Sequence, residues 1–359
     1  MTEMDTFLQA TKKSDLIKEE IEKNPKEFRV LTGDRPTGSL HIGHYFGSLQ
    51  NRVKLMEKGV PLFILIADYQ VLTDHDAFDK IAENTRELVL DYLSVGLDPF
   101  HEEVCIFPHS QIPELNQLLV PFLTLVSQAE LERNPTVKEE IKASNLSNVN
   151  AGMLVYPVHQ ACDILALQGN VVPVGKDQLP HLELTRTIAK RFNRKFKTDK
   201  PVFVSPSALL AEVPTILGLD GVQKMSKSRN NAIMLRMTKD EIAGVVKKAQ
   251  TDSERLITYE PERRPHVANL LSLISLMEGK TSPDKIASEI GEGGAKVLKE
   301  RLVESTDAFL TPFREKRSFY EKDNDLIRQI LKQGSDQARA IASDTLDKTR
   351  KAMNMALSF

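Results

Sequence analysis

The fold of this chain is organised around the stretch Thr32-Gly-Asp-Arg-Pro-Thr-Gly-Ser-Leu-His-Ile-Gly-His-Tyr45. It follows the apolar run 28–31 and precedes residues with helical spacing, which predicts a first strand and a first helix over 43–58. In an open parallel α/β sheet, the turn between such a strand and helix binds nucleotide phosphates, because the amide groups of the helix point towards it. Residues 33–40 are therefore a candidate phosphate site.

Strand and helix patterns alternate along residues 28–190. Further strands are predicted at 61–67, 104–107 and 171–174, and helices at 81–95, 112–126, 127–133 and 156–167. The polar segment 134–150 is expected to be a loop. This alternation predicts an α/β fold with a Rossmann-like, doubly wound parallel sheet.

The character of the sequence changes after Lys227, where the periods are helical to the end and strand patterns are absent. We therefore predict a C-terminal all-helical domain. The predicted organisation is an N-terminal helical extension (1–27), a Rossmann-type domain (28–220), a loop and linker (221–237) and a helical domain (238–359), whose last helix can pack back on the sheet domain.

The charge balance excludes a uniformly basic nucleic-acid-binding surface. The 359 residues include 48 Lys and Arg against 50 Asp and Glu, a net charge of -2, so any contact with nucleic acid must come from a local patch. No apolar run reaches membrane-spanning length, and residues 1–27 lack the apolar core of a signal peptide. We expect a cytoplasmic protein without a membrane partner.

The cysteine content argues against structural zinc, an iron–sulfur cluster or disulfides. Cys105 and Cys162 are the two cysteines, each in an apolar segment, and they form no CxxC pair. We predict no metal site in the protein.

His41-Ile-Gly-His44 places two imidazoles on one face of the first turn of a helix. Three interpretations are open: capping or buried histidines, a zinc site, or a nucleotide site in which both rings donate to phosphate oxygens. Zinc requires a third ligand, and no Glu or Cys follows at ligand spacing. In the nucleotide interpretation, Gly43 lets an adenine approach the backbone.

A second motif, Lys224-Met-Ser-Lys-Ser228, follows the region of the predicted sheet. By itself it could be a solvated, charged turn. Two lysines with small hydroxyl residues can also hold a polyphosphate through charge-assisted hydrogen bonds. The combination of the two motifs is much more specific than either one, and it predicts a nucleotide site.

The two motifs together resemble the HIGH and KMSKS signatures of class I aminoacyl-tRNA synthetases. Further stretches are similar to the tryptophan-specific members of that class: 32–38, 156–163, 172–178, 181–186, 191–193 and 251–253. Many of those members have other residues at both imidazole positions, so this chain looks like a variant subgroup with intact signatures.

The resemblance implies a two-step reaction. L-tryptophan and ATP, with Mg²⁺, would form tryptophanyl-adenylate and pyrophosphate, and the tryptophanyl group would then move to the 3′ end of tRNA(Trp). It further implies a homodimer and a helical domain that reads the anticodon. The basic cluster at 190–200 is a candidate tRNA contact or a solvated helix end.

The resemblance also implies site residues. His41, His44, Lys224 and Lys227 would stabilise the phosphate charge that develops in the transition state. The ATP site would comprise Arg35, Pro36, Thr37, Gly43, His44, Gly175, Lys176, Asp177, Lys224, Met225, Ser226, Lys227 and Ser228. The tryptophan site would comprise Leu31, Asp68, Gln70, Tyr156, Gln160, Asp163, Val172, Val174 and Gln178.

Asp163 matches the acid that accepts the indole N–H in those enzymes, although an Asp in this pattern can also cap a helix. Val172 and Val174 would pack the ring or be plain core, and Asp68 and Gln70 would hold the substrate ammonium or be strand-end polar residues. Because an acid accepts from a phenol as well as from an indole, a tyrosine-specific ligase is the nearest competing function. A HIGH-type nucleotidylyltransferase and a non-catalytic paralogue also stay open.

Overall fold

The computed structural model describes residues 3–74, 78–144, 150–175, 178–210, 216–279 and 281–356. Two of the predicted ATP-site residues, Lys176 and Asp177, lie outside the described residues.

Within these residues, five parallel strands form one sheet in the order β3-β2-β1-β4-β5. The strands are β1 (Val30–Asp34), β2 (Leu62–Ile66), β3 (Val104–Pro108), β4 (Val171–Val174) and β5 (Ser207–Leu210). The strand order reverses between β1 and β4, and ligands of such sheets bind at the carboxyl ends beside this point. The predicted Rossmann-like architecture is confirmed.

The strand predictions differ from the structure at two places. β1 begins at Val30 and extends to Asp34, so it contains the first residues of the signature stretch. β5 was missed, because its four residues follow Pro206 and show no alternation of apolar and polar side chains. Pairing with β4 along its whole length makes this segment a strand.

The helices cover both faces of the sheet and build the whole C-terminal part. They are α1 (Glu3–Lys23), α2 (Ile42–His44), α3 (Gln50–Glu57), α4 (Val71–Asp74), α5 (Ile81–Ser94), α6 (Pro113–Leu123), α7 (Gln128–Arg133), α8 (Pro135–Ser144), α9 (Ala151–Ala166), α10 (Leu179–Lys195), α11 (Lys239–Val246), α12 (Pro265–Glu278), α13 (Pro283–Ile290), α14 (Gly294–Tyr320) and α15 (Asn324–Ala352). A π-helical segment, Tyr45–Leu49, joins α2 to α3.

The loop predicted over 134–150 is wrong for residues 135–144, which form α8. Asn134 accepts hydrogen bonds at its Oδ1 from the backbone N–H groups of Thr136 and Val137, 3.0 and 3.4 Å away. Pro135 stands at the first helical position, where proline favours a helix start because no N–H is needed there. Burial of Val137 anchors the helix, a contact that composition alone does not reveal.

Helices at the two ends of the chain cover both edges of the sheet. α1 packs along β5, where the N–H of Leu210 donates to Ser14 Oγ at 2.9 Å. α15 packs along β3 so closely that a Cβ on Gly334 would lie 2.0 Å from the carbonyl oxygen of Ile106. Covered edges cannot pair with a strand of another chain, which protects the sheet from edge-to-edge aggregation.

The C-terminal helices pack on the sheet region through α14, which contacts α5, α11 and α12. α11 begins with a capping box of Thr238 and Glu241, and Ser282 caps α13 by accepting from the N–H of Lys285. Among the described helices, none combines the length and the apolar character needed to cross a membrane.

Candidate active site

A cavity of about 340 Å³ opens at the carboxyl ends of β1, β2 and β4, against α9. Every residue predicted for the tryptophan site lines it except Asp68. Arg35, which follows β1, lines the same cavity, so the pocket is continuous with the signature stretch. The location agrees with the rule that ligands bind where the strand order reverses.

One wall of the cavity is apolar and the other polar. Leu31 on β1, Val172 and Val174 on β4 and Ile164 on α9 supply the apolar side chains, all buried in the protein core. Gln70, Gln160, Gln178 and Tyr156 are partly exposed and supply hydrogen-bonding groups. A cavity of this kind suits a flat aromatic ring with a polar end.

Asp163 is the buried acid of the cavity, with 1% of its surface exposed. Its Oδ1 lies 3.3 Å from Nδ1 of His109. Its Oδ2 is buried and has no hydrogen-bond partner among the described residues. A buried carboxylate oxygen without a donor is costly, so this atom marks a place for a donor from a ligand.

His109 is a site residue that the sequence analysis missed. It follows β3, is fully buried and lies between the carboxylates of Asp163 and Asp68, with Nε2 3.2 Å from Asp68 Oδ1. Burial lowers the pKa of His109, but the charges of Asp163 and Asp68 outweigh burial and leave the pKa above its ordinary value. In the sequence, His109 is marked only by being a polar residue near the end of a predicted strand.

Asp68 stands behind the cavity wall. Its Oδ1 accepts from the backbone N–H groups of Tyr69 and Ser110, at 3.1 and 3.2 Å, and its Oδ2 accepts from the Ser110 hydroxyl. Its expected contact with the substrate ammonium remains a prediction.

The two imidazoles of the first motif lie at the start of α2, with ring centroids 3.7 Å apart. The N–H of His41 donates to Nδ1 of His44 at 3.1 Å, so a neutral His44 carries its proton on Nε2. Burial, with the nearby charges of His44 and Lys224, lowers the pKa of His41 to about 3, and burial also lowers the pKa of His44. At neutral pH both rings are neutral donors rather than cations.

The two signature motifs meet in space. The segment after the second motif pairs with the segment before α2: the N–H of Ile42 donates to the carbonyl of Ile233, and the N–H of Leu235 donates to that of Leu40, both at 3.0 Å. A Cβ on Gly38 would lie 2.5 Å from Lys227 Nζ, which places this ammonium group over the turn after β1, and the φ of 124° at Gly38 is a conformation that favours glycine.

The second motif is held by one buried anchor between two exposed lysines. Met225 is 2% exposed and packs near Gly43, whereas Lys224 and Lys227 lie on the surface. Two polar residues that sequence reasoning did not identify fix the loop. Asn231 accepts at Oδ1 from the N–H of Ser226 at 2.8 Å and donates from Nδ2 to Asp220 at 2.7 Å.

Of the other predicted ATP-site residues, Pro36 is buried and Thr37 is exposed in the turn after β1. Gly175 is exposed directly after β4. Ser226 and Ser228 share a hydrogen bond between their hydroxyls, 3.0 Å apart, on the loop beside Lys227.

Two buried ion pairs stand behind the phosphate side. Arg52 and the Tyr92 hydroxyl donate to Asp34 Oδ2 at 2.6 and 2.7 Å, so this oxygen at the end of β1 is already paired. Asp91 accepts from the N–H of Leu40 at 2.9 Å and from Arg317 of α14 at 2.6 Å. The second pair connects the C-terminal helices to the residue before His41.

Among the described residues, His109, His159 and Asp163 form the one group of ligand atoms close enough to be considered for a metal ion, within 4.8 Å of one another. Ligands of a tetrahedral zinc ion lie about 3.3 Å apart, given metal–ligand distances near 2.0 Å. His159 is also held by Asn116 Oδ1, 2.9 Å from its Nε2. These distances fit a hydrogen-bonded cluster better than a formed metal site.

Comparison with known proteins agrees with this geometry. Residues 23–311 match the family described as tRNA synthetases class I (W and Y). The tryptophan–tRNA ligase of Streptococcus mutans is 42% identical over 336 residues, which cover 91% of this chain and 98% of that protein.

Solved structures give the same result. The tryptophanyl-tRNA synthetase of Campylobacter jejuni, in complex with ADP and tryptophan, aligns with a TM-score of 0.80 and 30% identity, covering 91% of this chain and 100% of that one. The tyrosyl-tRNA synthetase of Archaeoglobus fulgidus aligns with a TM-score of 0.64 and 21% identity, which is a likeness of fold alone.

Proposed function

The chain belongs to the tryptophan–tRNA ligases of class I, and on this premise we propose which of its residues perform the reaction. The enzyme activates L-tryptophan with ATP and transfers the tryptophanyl group to tRNA(Trp). Side chains of the cavity would recognise tryptophan, and side chains of the two signature motifs would take part in catalysis.

The observation that supports tryptophan recognition best is the unpartnered Oδ2 of Asp163 in an otherwise apolar wall. We propose that this oxygen accepts the indole N–H, while Leu31, Val172 and Val174 contact the ring faces. An amino acid without a matching donor would leave the buried carboxylate unpaired, and such sites reject that class of substrate strongly.

The polar end of the cavity is proposed to hold the backbone of the substrate. Gln70, Tyr156 and Gln178 offer hydrogen-bonding groups there, and Gln160 faces the same space from α9. Asp68 would act on the ammonium group by its charge from behind the wall. The substrate carboxylate would then point towards Arg35 and the signature turn, which is the direction that adenylate formation requires.

On the phosphate side, we propose that cations and neutral donors divide the work. A carboxylate is already a nucleophile, so its attack on the α-phosphorus needs no general base, and charge grows on the phosphate oxygens. Lys224 and Lys227 would supply positive charge, and the neutral rings of His41 and His44 would supply N–H donors. Donors positioned before the reaction stabilise such charge without reorganisation.

ATP is expected to bring Mg²⁺ bound to its phosphates. The described groups beside these phosphates are imidazoles, ammonium groups and hydroxyls, and the carboxylate at the end of β1 is paired with Arg52. This donor set does not form a magnesium cage, which uses carboxylates and water.

Contacts with tRNA and a second subunit are further parts of the proposal. The helices after residue 238 are proposed to read the anticodon. A group of exposed cations at the end of α10 is proposed to contact tRNA: Lys190, Arg194, Lys195, Lys197 and Lys200.

We propose that the protein is a homodimer. We also propose a cytoplasmic location, since translation takes place there. The exposed apolar side chains of Leu72 on α4 and Val120 on α6, both on helices that pack against α9, are candidates for the dimer surface.

The decisive experiment is pyrophosphate–ATP exchange with each amino acid supplied singly, followed by charging of purified tRNA. We expect exchange with tryptophan and charging of tRNA(Trp). Exchange with tyrosine alone would contradict the proposal and favour a tyrosine–tRNA ligase. Exchange without charging would favour a nucleotidylyltransferase or a paralogue that has lost transfer.

A further inference from the structure

Behind Asp163, and outside the lining of the cavity, lies an imidazole whose proton position is set by the backbone. His109 is fully buried, and the N–H of Tyr69 points at its Nε2 from 2.9 Å. An amide N–H can only donate, so the neutral ring accepts at Nε2 and carries its proton on Nδ1. In the described part of the chain, the acceptor that faces this proton is Asp163 Oδ1, 3.3 Å away.

Protonation of the ring leaves this contact in place. The imidazolium keeps the proton on Nδ1 and gains one on Nε2, which faces Asp68 Oδ1 at 3.2 Å. The N–H of Tyr69 then bonds to Asp68 Oδ1 at 3.1 Å, a contact already present. In both protonation states, Nδ1–H of His109 donates to Asp163.

We propose that His109 is a positioning residue for amino-acid selection: its Nδ1–H occupies Oδ1 of Asp163, holds the plane of that carboxylate, and leaves Oδ2 as the single acceptor that a substrate N–H can reach. The inference rests on the proposed contact between Asp163 and the indole. Without this bond, the carboxylate could rotate and offer either oxygen, and an indole N–H would no longer have a fixed partner.

The groups around the His109 ring are consistent with this role. Asp163 and His159 face it from α9, and Asp68 and Tyr69 face it from the segment after β2. The ring of His159 meets that of His109 edge to face, with centroids 5.0 Å apart, and its own Nε2 bonds to Asn116. His159 therefore packs against the side of the His109 ring, while its own hydrogen bond goes to Asn116.

The test compares tryptophan with 3-(3-benzothienyl)alanine, in which sulfur replaces the indole N–H in a ring of nearly the same shape. The ratio of kcat/KM for the two compounds in pyrophosphate exchange measures recognition of the N–H. We expect the wild type to prefer tryptophan at least about tenfold, the value of a hydrogen bond to a charged group. In His109→Leu the ratio should fall towards one, with KM for ATP unchanged.

His109→Gln is the conservative variant, because its amide can accept from Tyr69 and donate to Asp163, and we expect it to keep most of the preference. His159→Leu is the matched control, which makes the same change on the neighbouring ring and should keep the wild-type ratio. A wild-type ratio in His109→Leu would overturn the inference, since a merely structural residue would weaken both substrates equally. A wild type that activates tryptophan without preferring it would instead refute the contact at Asp163, and a wild type that does not activate tryptophan would refute the proposed function.

A second measurement needs no folded leucine variant. In wild-type protein labelled with ¹⁵N-histidine, the ring signals of His109, assigned by their loss in His109→Gln, should show a proton on Nδ1 at every pH at which the protein is folded. A neutral ring with its proton on Nε2 would refute the proposal.

Discussion

The two sides of the crevice are built in opposite ways. On the tryptophan side, Asp163 and His109 are buried and hydrogen-bonded to each other, and one oxygen of Asp163 has no partner among the described residues. On the phosphate side, Lys224 and Lys227 lie on the surface, on either side of the buried Met225. Selection between similar rings needs a rigid acceptor in a dry pocket, whereas phosphate charge can be met by mobile cations.

The phosphate side nevertheless has a rigid frame behind it. The backbone before His41 is tied to Asp91, and Asp91 is tied to Arg317 of α14. The two lysines are exposed, whereas the turn before His41 is held by buried hydrogen bonds. We therefore expect changes to the frame to act on stability, changes to the lysines on rate, and changes to the pocket on selection.

The largest effect is expected on stability, when the ion pair between Asp91 and Arg317 is broken. Arg317→Met leaves the buried carboxylate of Asp91 without its cation, which should lower the free energy of unfolding by about 3–5 kcal/mol. Urea denaturation measures this loss. In the double variant Asp91→Asn/Arg317→Met the unpaired charge is gone and Leu40 keeps an acceptor for its N–H, so we expect much of the stability to return. A double variant as unstable as Arg317→Met would argue that packing, and not charge, makes this contact important.

The next largest effect is expected on the rate of pyrophosphate exchange, when Lys224 or Lys227 is replaced. Lys224→Met or Lys227→Met should lower kcat for pyrophosphate exchange by about 10²–10³-fold, because each removes a charge that stabilises the transition state. The free energy of unfolding should change little, since both side chains are exposed. Lys239→Met is the matched control: it removes an exposed lysine that pairs with Glu304 on the surface, and its rate should match that of the wild type. An equal loss of rate in all three variants would contradict this division of roles.

A smaller effect is expected in the pocket. Asp163→Ala should lower kcat/KM for tryptophan by about 10–100-fold through loss of a charged hydrogen bond, with the KM for ATP unchanged. Steady-state exchange kinetics with each substrate varied in turn separate the two constants. If the variant used tryptophan and ATP equally less well, Asp163 would have a structural role. The contrast between a selective tryptophan side and a phosphate side would then not hold.

The smallest effect is a dependence of stability on pH at the end of β1. Burial by itself would raise the pKa of Asp34, but the charge and hydrogen bond of Arg52 outweigh burial and hold the pKa below its ordinary value. A depressed pKa in the folded state stabilises the protein above the unfolded value, near 3.9, and this stabilisation is lost as pH falls through the folded pKa.

The wild type should therefore lose up to about 1.4 kcal/mol per pH unit at this site in that acid range. Asp34→Asn, which does not titrate, should be less stable than the wild type at pH 7, and the difference should shrink as the pH is lowered below 4. Denaturation curves at several pH values give the difference, and a constant difference would show that the pKa of Asp34 is the same in the folded and the unfolded state.

The sequence alone was enough for the features that depend on local order. The apolar run before Thr32, the helical period after His41 and the paired signatures led to the sheet, to the position of the crevice and to the reaction class. Asp163 was proposed from the family resemblance, and its role stays a prediction. The strand and helix signals each lie within a few residues along the chain, where the periods of helix and strand act.

The tertiary structure decided everything that needs two distant segments to meet. His109 comes to contact Asp163 because β3 ends beside α9, and Asn231 holds the lysine loop through Asp220. The bond between Asp91 and Arg317 joins α5 to α14. These contacts are made by single polar residues without any period, so their partners are determined only when the chain closes around its core and each buried polar group must find a donor or acceptor.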